Sequence, residues 1–254
     1  MTLHIETLGQ GPDLVMLHGW AMHSAIWYPA ARQLAEHFCV HLVDLPGHGW
    51  SKSCTAKTLD DIVSVLSPRF VGPVSVCGWS LGGLVAMRWA VAPSNQITRL
   101  MLVAASPCFT KRDDWSPAMD QKVLAHFASE LDRDYDATLQ RFLALQVLNS
   151  ASPKALLQNL QKHLFDRGQY DAAMLGAGLK ILEDNDVRHS VKSIAQPTLL
   201  LYGDRDTLVP VGAGQWLAEN LPNARLEIFS GSAHLPFVSH QDAFVSAVSR
   251  FIDE

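Results

Sequence analysis

A serine framed by glycines, Gly78-Trp79-Ser80-Leu81-Gly82, is where residue type and spacing in this 254-residue chain most directly predict chemistry. The apolar run Val74-Ser75-Val76-Cys77 leads into it, and the helix-like stretch Leu84-Val85-Ala86-Met87-Arg88-Trp89-Ala90 leads out. Gly-x-Ser-x-Gly between a strand and a helix is the turn that pushes a serine hydroxyl out of a sheet edge as a nucleophile. Such a turn is too tight for a Cβ two residues either side of the serine, and the serine backbone is expected to be strained. The following helix aims its N-terminus and unpaired amides at negative charge forming beside Ser80. The bland reading is a Gly-Ser turn on a buried strand, and the flanking strand and helix weigh against it.

A serine hydroxyl is a poor nucleophile at neutral pH, so it needs a base and an acid to orient that base. In this arrangement the acid and then the histidine follow the serine in the chain. The run 198–202 reads as a buried strand, followed by the loop Gly203-Asp204-Arg205-Asp206-Thr207-Leu208-Val209-Pro210. The run 226–229 reads as the last strand, followed by Ser230-Gly231-Ser232-Ala233-His234. Both candidates sit just past a strand's C-terminal end, where open α/β sheets place ligands. His234 would take the proton from Ser80 and return it to the leaving group, and Asp206 would hold the tautomer and stabilise the imidazolium. Asp204 is a rival acid that spacing does not separate from Asp206, and an Asp in such a loop is often only a turn former. The chain has 11 histidines, of which His18, His48 and His240 also lie near strand ends; chain order and loop position favour His234.

A tetrahedral intermediate needs donors aimed at its oxyanion. One is expected to be the N–H of Leu81, the other the N–H of Trp20 in the loop His18-Gly19-Trp20-Ala21 after the short apolar strand 14–17. The bland reading of His18-Gly19 is a strand-ending turn.

The elements that must hold these residues follow from the apolar pattern. Strand candidates at 14–17, 40–44, 74–77, 100–104 and 198–202 alternate with helical stretches, the pattern of a parallel sheet covered on both faces. The N-terminal residues Met1 to Leu8 alternate like an edge strand rather than a secretory signal. Between Ser106 and about His189 the pattern turns helical, at 119–131, 135–148, 153–164 and 170–182, punctuated by Pro117, Pro153 and Gly168. We read 1–108 with 190–254 as the core and 109–189 as a helical cap that selects substrate. Phe142, Leu143, Leu145 and Leu148 could line an acyl channel, with Trp79 and Trp20 nearby, or could be the helix's own packing stripe.

Composition sets limits. A net charge of −5 argues against a general nucleic-acid binder, and no apolar run reaches the roughly 18 residues of a membrane span. Cys39, Cys54, Cys77 and Cys108 lack paired spacing and read as reduced packing thiols. A cytoplasmic monomer is expected, with neither metal nor organic cofactor, since no metal-ligand spacing is visible.

His18-Gly19-Trp20, Asp44-Leu45-Pro46-Gly47-His48-Gly49, the Ser80 turn, the Asp206 loop and Ala233-His234 together resemble the α/β-hydrolase family over nearly the whole chain. More narrowly, Ser106-Pro107-Cys108-Phe109 and Arg141-Phe142-Leu143-Ala144-Leu145-Gln146 resemble the biotin-pathway esterases that cleave the methyl ester of pimeloyl-acyl carrier protein. That resemblance implies Ser80, Asp206 and His234 as the triad and Trp20 and Leu81 at the oxyanion site. It also implies Phe142, Leu143, Ala144, Leu145 and Gln146 as part of the acyl-chain wall, and acyl carrier protein as partner. Two residues depart from the pattern: Ala21 stands where glycine often follows His-Gly-Trp, and Trp50 replaces a small or basic residue after Gly-x-Gly. Both are expected to shape the pocket mouth rather than the chemistry.

An acidic carrier calls for a basic dock. Lys154 and Lys162 share a helix face with Gln158, and Arg141 and Arg167 could join them. Asp113, Asp114, Asp120, Asp132, Asp134 and Asp136 more than offset the charge of these basic residues, so a solvated face is the default reading and docking rests mainly on the resemblance. The competing functions are a broad small-ester carboxylesterase, carbon–carbon bond hydrolysis or lyase chemistry on the same triad, and a scaffold that binds without turnover.

Overall fold

The computed structural model describes residues 2–94, 96–131, 133–164, 166–168 and 171–254, the side chain of His163 excepted. The chain runs β1 (Ile5–Leu8), β2 (Asp13–Leu17), α1 (Tyr28–Leu34), β3 (Cys39–Val43), α2 (Leu59–Leu66), β4 (Val74–Trp79), α3 (Leu81–Ala90) and β5 (Ile97–Val103). Four helices follow: α4 (Gln121–Leu131), α5 (Tyr135–Val147), α6 (Pro153–His163) and α7 (Ala172–Asp184). The core resumes with β6 (Thr198–Gly203), α8 (Val211–Asn220), β7 (Ala224–Phe229), α9 (Pro236–Ser239) and α10 (Gln241–Asp253).

The strands form one sheet in the order β1-β3-β2-β4-β5-β6-β7. β1 pairs antiparallel to β3, with Ile5 opposite Val43 and Leu8 opposite Val40, and the other pairings are parallel. The alternating N-terminus thus is the edge strand expected of it. Leu14 to Leu17 and the whole of β4 and β6 are buried, as strands covered on both faces must be, and this burial explains why they read as unbroken apolar runs. Helices α1 and α10 pack together, α2 packs on α3, and α8 packs on β6 and β7.

Between β5 and β6 the chain is helical, as the sequence pattern predicts. α4 packs on α5 and α7, and α5 on α6. Some of the aspartates that lower this segment's charge have a local task. The Asp134 carboxylate accepts from the Ala137 N–H and caps α5, and Asp171 accepts from Ala173 and Met174 and caps α7. Caps of this kind contribute about 0.5–2 kcal/mol each. The expected helix start at Tyr170 and the charge counted at Asp132 lie outside the described residues. Among the described residues no helix is long and apolar enough to cross a membrane.

Parallel strands bring their C-terminal ends to one edge of the sheet. The loops after β2, β3, β4, β6 and β7 therefore meet there, and with them His18–Ala21, Asp44, Ser80, Asp206 and His234.

Candidate active site

Ser80 sits at φ 54° and ψ −115° between β4 and α3, a conformation that costs an L-residue about 1–3 kcal/mol. The turn is held by hydrogen bonds from Ser80 N–H to the Val103 carbonyl at 3.0 Å and from Gly83 N–H to the Ser80 carbonyl at 2.9 Å. A Cβ on Gly78 would strike the Gly82 backbone, and one on Gly82 would strike the carbonyls of Leu17 and His18. Both flanking glycines are therefore needed for close approach, which makes the motif stricter than a generic Gly-Ser turn.

The tertiary fold separates the two candidate acids. Asp206 Oδ2 accepts from Nδ1–H of His234 at 2.7 Å, and its Oδ1 accepts from the N–H groups of Leu208 and Val209 at 2.9 and 3.0 Å. Both side chains are buried, and a carboxylate hydrogen-bonded on every side cannot swing away from the imidazole. Asp204 faces the other way. It accepts from Gly231 N–H at 2.7 Å and from the Ser230 hydroxyl at 3.2 Å, tying down the turn that carries His234. With Nδ1 donating to Asp206, the lone pair of His234 is on Nε2.

The backbone of His234 is gripped at both ends. Its carbonyl accepts from the Trp79 indole N–H at 2.9 Å, and its N–H donates to the Gln146 carbonyl at 3.1 Å. Trp79, expected near the channel, is buried against the His234 ring and does not itself line the cavity. Residue-type reasoning had no means of finding this role, since an indole in a strand reads as core.

Leu81 opens α3, so its N–H has no partner within the helix and points out of the helix N-terminus. Trp20 lies in the turn after β2, where Met22 N–H donates back to the Gly19 carbonyl at 3.3 Å. Ala21 occupies the third position of this turn with φ 55°. A turn with positive φ at its third residue favours glycine, which gives Ala21's departure from the family pattern its physical meaning. The Trp20 ring is itself pinned: its indole donates to the Leu175 carbonyl on α7 at 2.9 Å and meets Phe142 edge-on at 4.7 Å. Gly178 permits this contact, because a Cβ there would come within 2.7 Å of the ring.

Ser80 and His234 line one narrow cavity, whose other walls are Phe109, Met119, Leu124, Phe142, Leu182 and Leu208. Apart from the two polar residues this wall is wholly apolar, and α4, α5 and α7 supply half of its apolar residues. Of the expected acyl-wall residues, Phe142 lines the cavity. Leu143 and Gln146 are fully buried beside it, Ala144 and Leu145 are half-buried, and Leu148 is 45% exposed because it follows the end of α5. Both side-chain amide atoms of Gln146 are buried without a hydrogen-bond partner.

Four residues had been grouped as a basic dock, and Arg167 does not belong with the others. It is buried, donating to Asp44 Oδ2 at 2.7 Å, Ser24 Oγ at 2.8 Å, Glu6 Oε2 at 3.0 Å and the Tyr28 hydroxyl at 2.9 Å. Trp50, expected at the pocket mouth, covers this guanidinium with its ring at 4.2 Å. Arg167 is thus a clamp between the helical segment and the core, and an internal acid explains it better than an external partner. Arg141, Lys154 and Lys162 are exposed; Arg141 lies 3.7 Å from Glu130, while Lys154 and Lys162 share one face of α6.

Asp44 stabilises the charge of Arg167. Burial pushes its carboxyl up, but the amides of Ser24 and Trp50 and the charge of Arg167 outweigh that and hold it below the usual carboxylate range. His18 beside it is fully buried. Burial and then the neighbouring His48 push its pKa down to about 3, so its ring is neutral.

Asp13, Cys39 and His41 also come together, among the described residues, closely enough to hold a cation. Asp13 and Cys39 begin β2 and β3, at the end of the sheet opposite Ser80, and the Asp13 carboxylate bonds His41 Nε2 directly at 2.6 Å. The sequence pattern gave no sign of this group, because strand register creates it.

Comparison with known proteins agrees with the geometry. A family model described as alpha/beta hydrolase fold matches residues 12–241. A pimeloyl-[acyl-carrier protein] methyl ester esterase of Nitrosomonas europaea is 47% identical over 246 residues, covering 96% of this chain and 97% of that relative. One from Chromobacterium violaceum is 43% identical over 253 residues, covering 100% of this chain and 99% of the relative. Among solved structures, an esterase from Exiguobacterium antarcticum superposes with a TM-score of 0.89 at 23% identity, covering 99% of this chain and 96% of that one, a likeness of fold. With its sheet order, its strained serine turn and these relatives all in agreement, the chain belongs to the α/β-hydrolase family and, within it, to the family of the pimeloyl-[acyl-carrier protein] methyl ester esterases.

Proposed function

We propose that this chain is a serine esterase that hydrolyses the methyl ester of pimeloyl-acyl carrier protein, releasing methanol and the free acid for biotin synthesis. The observation that carries the reading is the placement of Ser80 and His234 on one apolar cavity, with Asp206 bound to the far nitrogen of His234.

His234 Nε2 takes the Ser80 proton as the hydroxyl oxygen attacks the ester carbonyl, and the resulting oxyanion lies toward the N–H groups of Leu81 and Trp20. Asp206 stabilises the imidazolium. The proton passes from His234 to methoxide, methanol leaves, and an acyl-serine remains. Water then gives a proton to His234 and attacks the acyl carbon, and the proton returns to Ser80 as the acid departs. No cofactor takes part in these steps.

The apolar wall suits a methylene chain, each buried CH₂ contributing about 0.8 kcal/mol. Residues 109–189 act in this reading as the cap that shapes the cavity, over a core of 1–108 and 190–254. Arg141, Lys154 and Lys162 offer the carrier an exposed cationic face, and the enzyme works as a cytoplasmic monomer. The test is paired kinetics on the carrier-bound pimeloyl methyl ester and on a short p-nitrophenyl ester. A much higher kcat/KM for the carrier-bound ester, lost in Ser80→Ala, is expected. Activity on the short ester alone would leave a general carboxylesterase.

A further inference from the structure

We propose that Asp13, Cys39 and His41 form a binding site for a thiophilic divalent cation of the zinc type, at the end of the sheet remote from Ser80. The donor atoms of the three side chains all lie within 4.8 Å of one another.

Strand register builds the site. Asp13 on β2 stands directly opposite Cys39 on β3 in the parallel pairing, and His41 follows Cys39 by two residues. Side chains two apart on a strand share a face, so two adjoining strands present a carboxylate, a thiol and an imidazole together. Hydrogen-bonded strands hold these positions without a loop to order, so little conformational freedom is left to lose when a cation binds. β1 adds a fourth residue. Thr7 pairs with His41 across the antiparallel edge, and its hydroxyl lies 3.0 Å from His41 Nδ1. Nε2 is thereby turned toward Asp13, 2.6 Å from Oδ1. Phe70 packs edge-on against the imidazole at 5.3 Å between centroids and steadies the ring.

The donor set selects the ion. Thiolate and imidazole favour a borderline-soft metal over magnesium or calcium, and three protein ligands leave a fourth tetrahedral position for water. One carboxylate and one thiolate cancel the double charge of the ion. Without metal, Asp13 accepts from the imidazole and from the Cys39 thiol, and burial and then this carboxylate raise the thiol's pKa. A cation between the three groups reverses that relation. The thiol proton leaves to solvent as sulfur bonds the metal. The imidazole keeps one proton, on Nδ1, where it donates to Thr7, and coordinates through Nε2. A hydroxyl donates or accepts, so Thr7 serves the ring in both states. The separation of Asp13 from His41 then opens from 2.6 Å to about 3.3 Å, the edge of a tetrahedron whose ligands stand about 2.0 Å from the ion. The Asp13 side chain is 43% exposed, which gives the ion a path and the carboxylate room for that shift.

The test is titration of the full chain, stripped with a chelator and kept reduced, with cobalt(II) chloride as a spectroscopic stand-in and then with zinc chloride. One cobalt per chain is expected, with a thiolate-to-cobalt charge-transfer band and the intense visible bands of tetrahedral geometry, both abolished by one equivalent of zinc. In calorimetric titrations Cys39→Ser and His41→Gln should each weaken zinc binding on the order of 10²-fold or more, and Thr7→Val about 10-fold, as for a lost partner of a metal-bound histidine. His37→Gln, which removes an exposed histidine outside the group, should bind zinc as the wild type does. Magnesium chloride in large excess should not displace the ion. Cobalt binding without a thiolate band, or zinc binding that Cys39→Ser leaves unchanged, would assign the metal to surface histidines and overturn the proposal, as would no binding at all. The wild-type spectrum decides the question even where a variant fails to fold. None of these readouts depends on esterase activity, so the site stands or falls apart from the assignment of Ser80.

Discussion

Trp79 and His234 are joined by a hydrogen bond from the indole N–H to the backbone carbonyl, at 2.9 Å, so the residue before the serine holds the histidine loop in place. The two strand ends that must meet for proton transfer are thereby coupled through one buried side chain. Trp79→Phe keeps most of the ring packing but leaves the His234 carbonyl without its donor. We expect a loss of about 1–3 kcal/mol in unfolding free energy, the cost of an unmet buried acceptor. kcat should fall more than KM rises. Urea unfolding with steady-state kinetics measures both, and an unchanged kcat would show that the Gln146, Asp204 and Asp206 contacts fix the loop without the indole.

The two aspartates of the β6 loop should fail in different ways. Asp206→Asn should lower kcat about 10⁴-fold with the fold intact, because the amide reverses the donor–acceptor relationship at His234 Nδ1. Asp204→Asn should mainly cost stability, about 1–2 kcal/mol, since it weakens the bonds to Ser230 and Gly231. The reverse ranking of kcat values would move the acid to Asp204.

Arg167 and the exposed cations make a second contrast. Arg167→Met leaves Asp44 buried without its counter-ion and should cost about 3–5 kcal/mol of stability. Charge reversal at Arg141, Lys154 and Lys162 should leave the melting temperature nearly unchanged and raise KM for carrier-bound ester alone. If small esters suffer equally, those residues support the helical segment rather than a partner.

Ala21→Gly should stabilise the enzyme. The residue at φ 55° carries a penalty of about 1 kcal/mol that glycine escapes, partly offset by the freer unfolded chain. A rise in melting temperature of about 2 °C or less is expected by scanning calorimetry. A fall would mean that the alanine methyl contributes more in packing than the backbone loses in strain.

Stability should decline as pH drops below the ordinary histidine range. The folded pKa of His18, about 3, lies below its unfolded value, so between the two only the unfolded chain takes up the proton. His48 is lowered too, first by burial, and adds in the same direction. Asp44, also held low, contributes stability that is present above the ordinary carboxylate pKa and lost as pH falls through its folded value. His18 alone should remove up to about 1.4 kcal/mol per pH unit below about pH 6.5. Urea unfolding at a series of pH values between neutrality and about pH 5 checks the slope, and a flat profile would contradict neutral burial.

What could be read from the sequence was local or periodic. The glycines around Ser80 announce a turn that excludes Cβ atoms. Unbroken apolar runs mark strands covered on both faces, and chain order points to His234 among 11 histidines. Each of these depends on near neighbours or on a repeat, so one dimension suffices. Whether Asp204 or Asp206 reaches the imidazole did not, because both leave the same loop and their directions depend on how β6 and β7 pair. Arg167 looked like a surface cation because its neighbours in the chain, Asp166 and Gly168, read as a polar turn. Its partners Glu6, Asp44, Ser24 and Tyr28 come from the far end of the sequence and meet it only when the helical segment closes on the core. The cavity followed the same logic: Phe109, Met119, Leu124, Leu182 and Leu208 are ordinary core residues by pattern. Packing between the helical segment and the sheet makes them a wall, because a cavity is defined by distances in space that residue order does not encode.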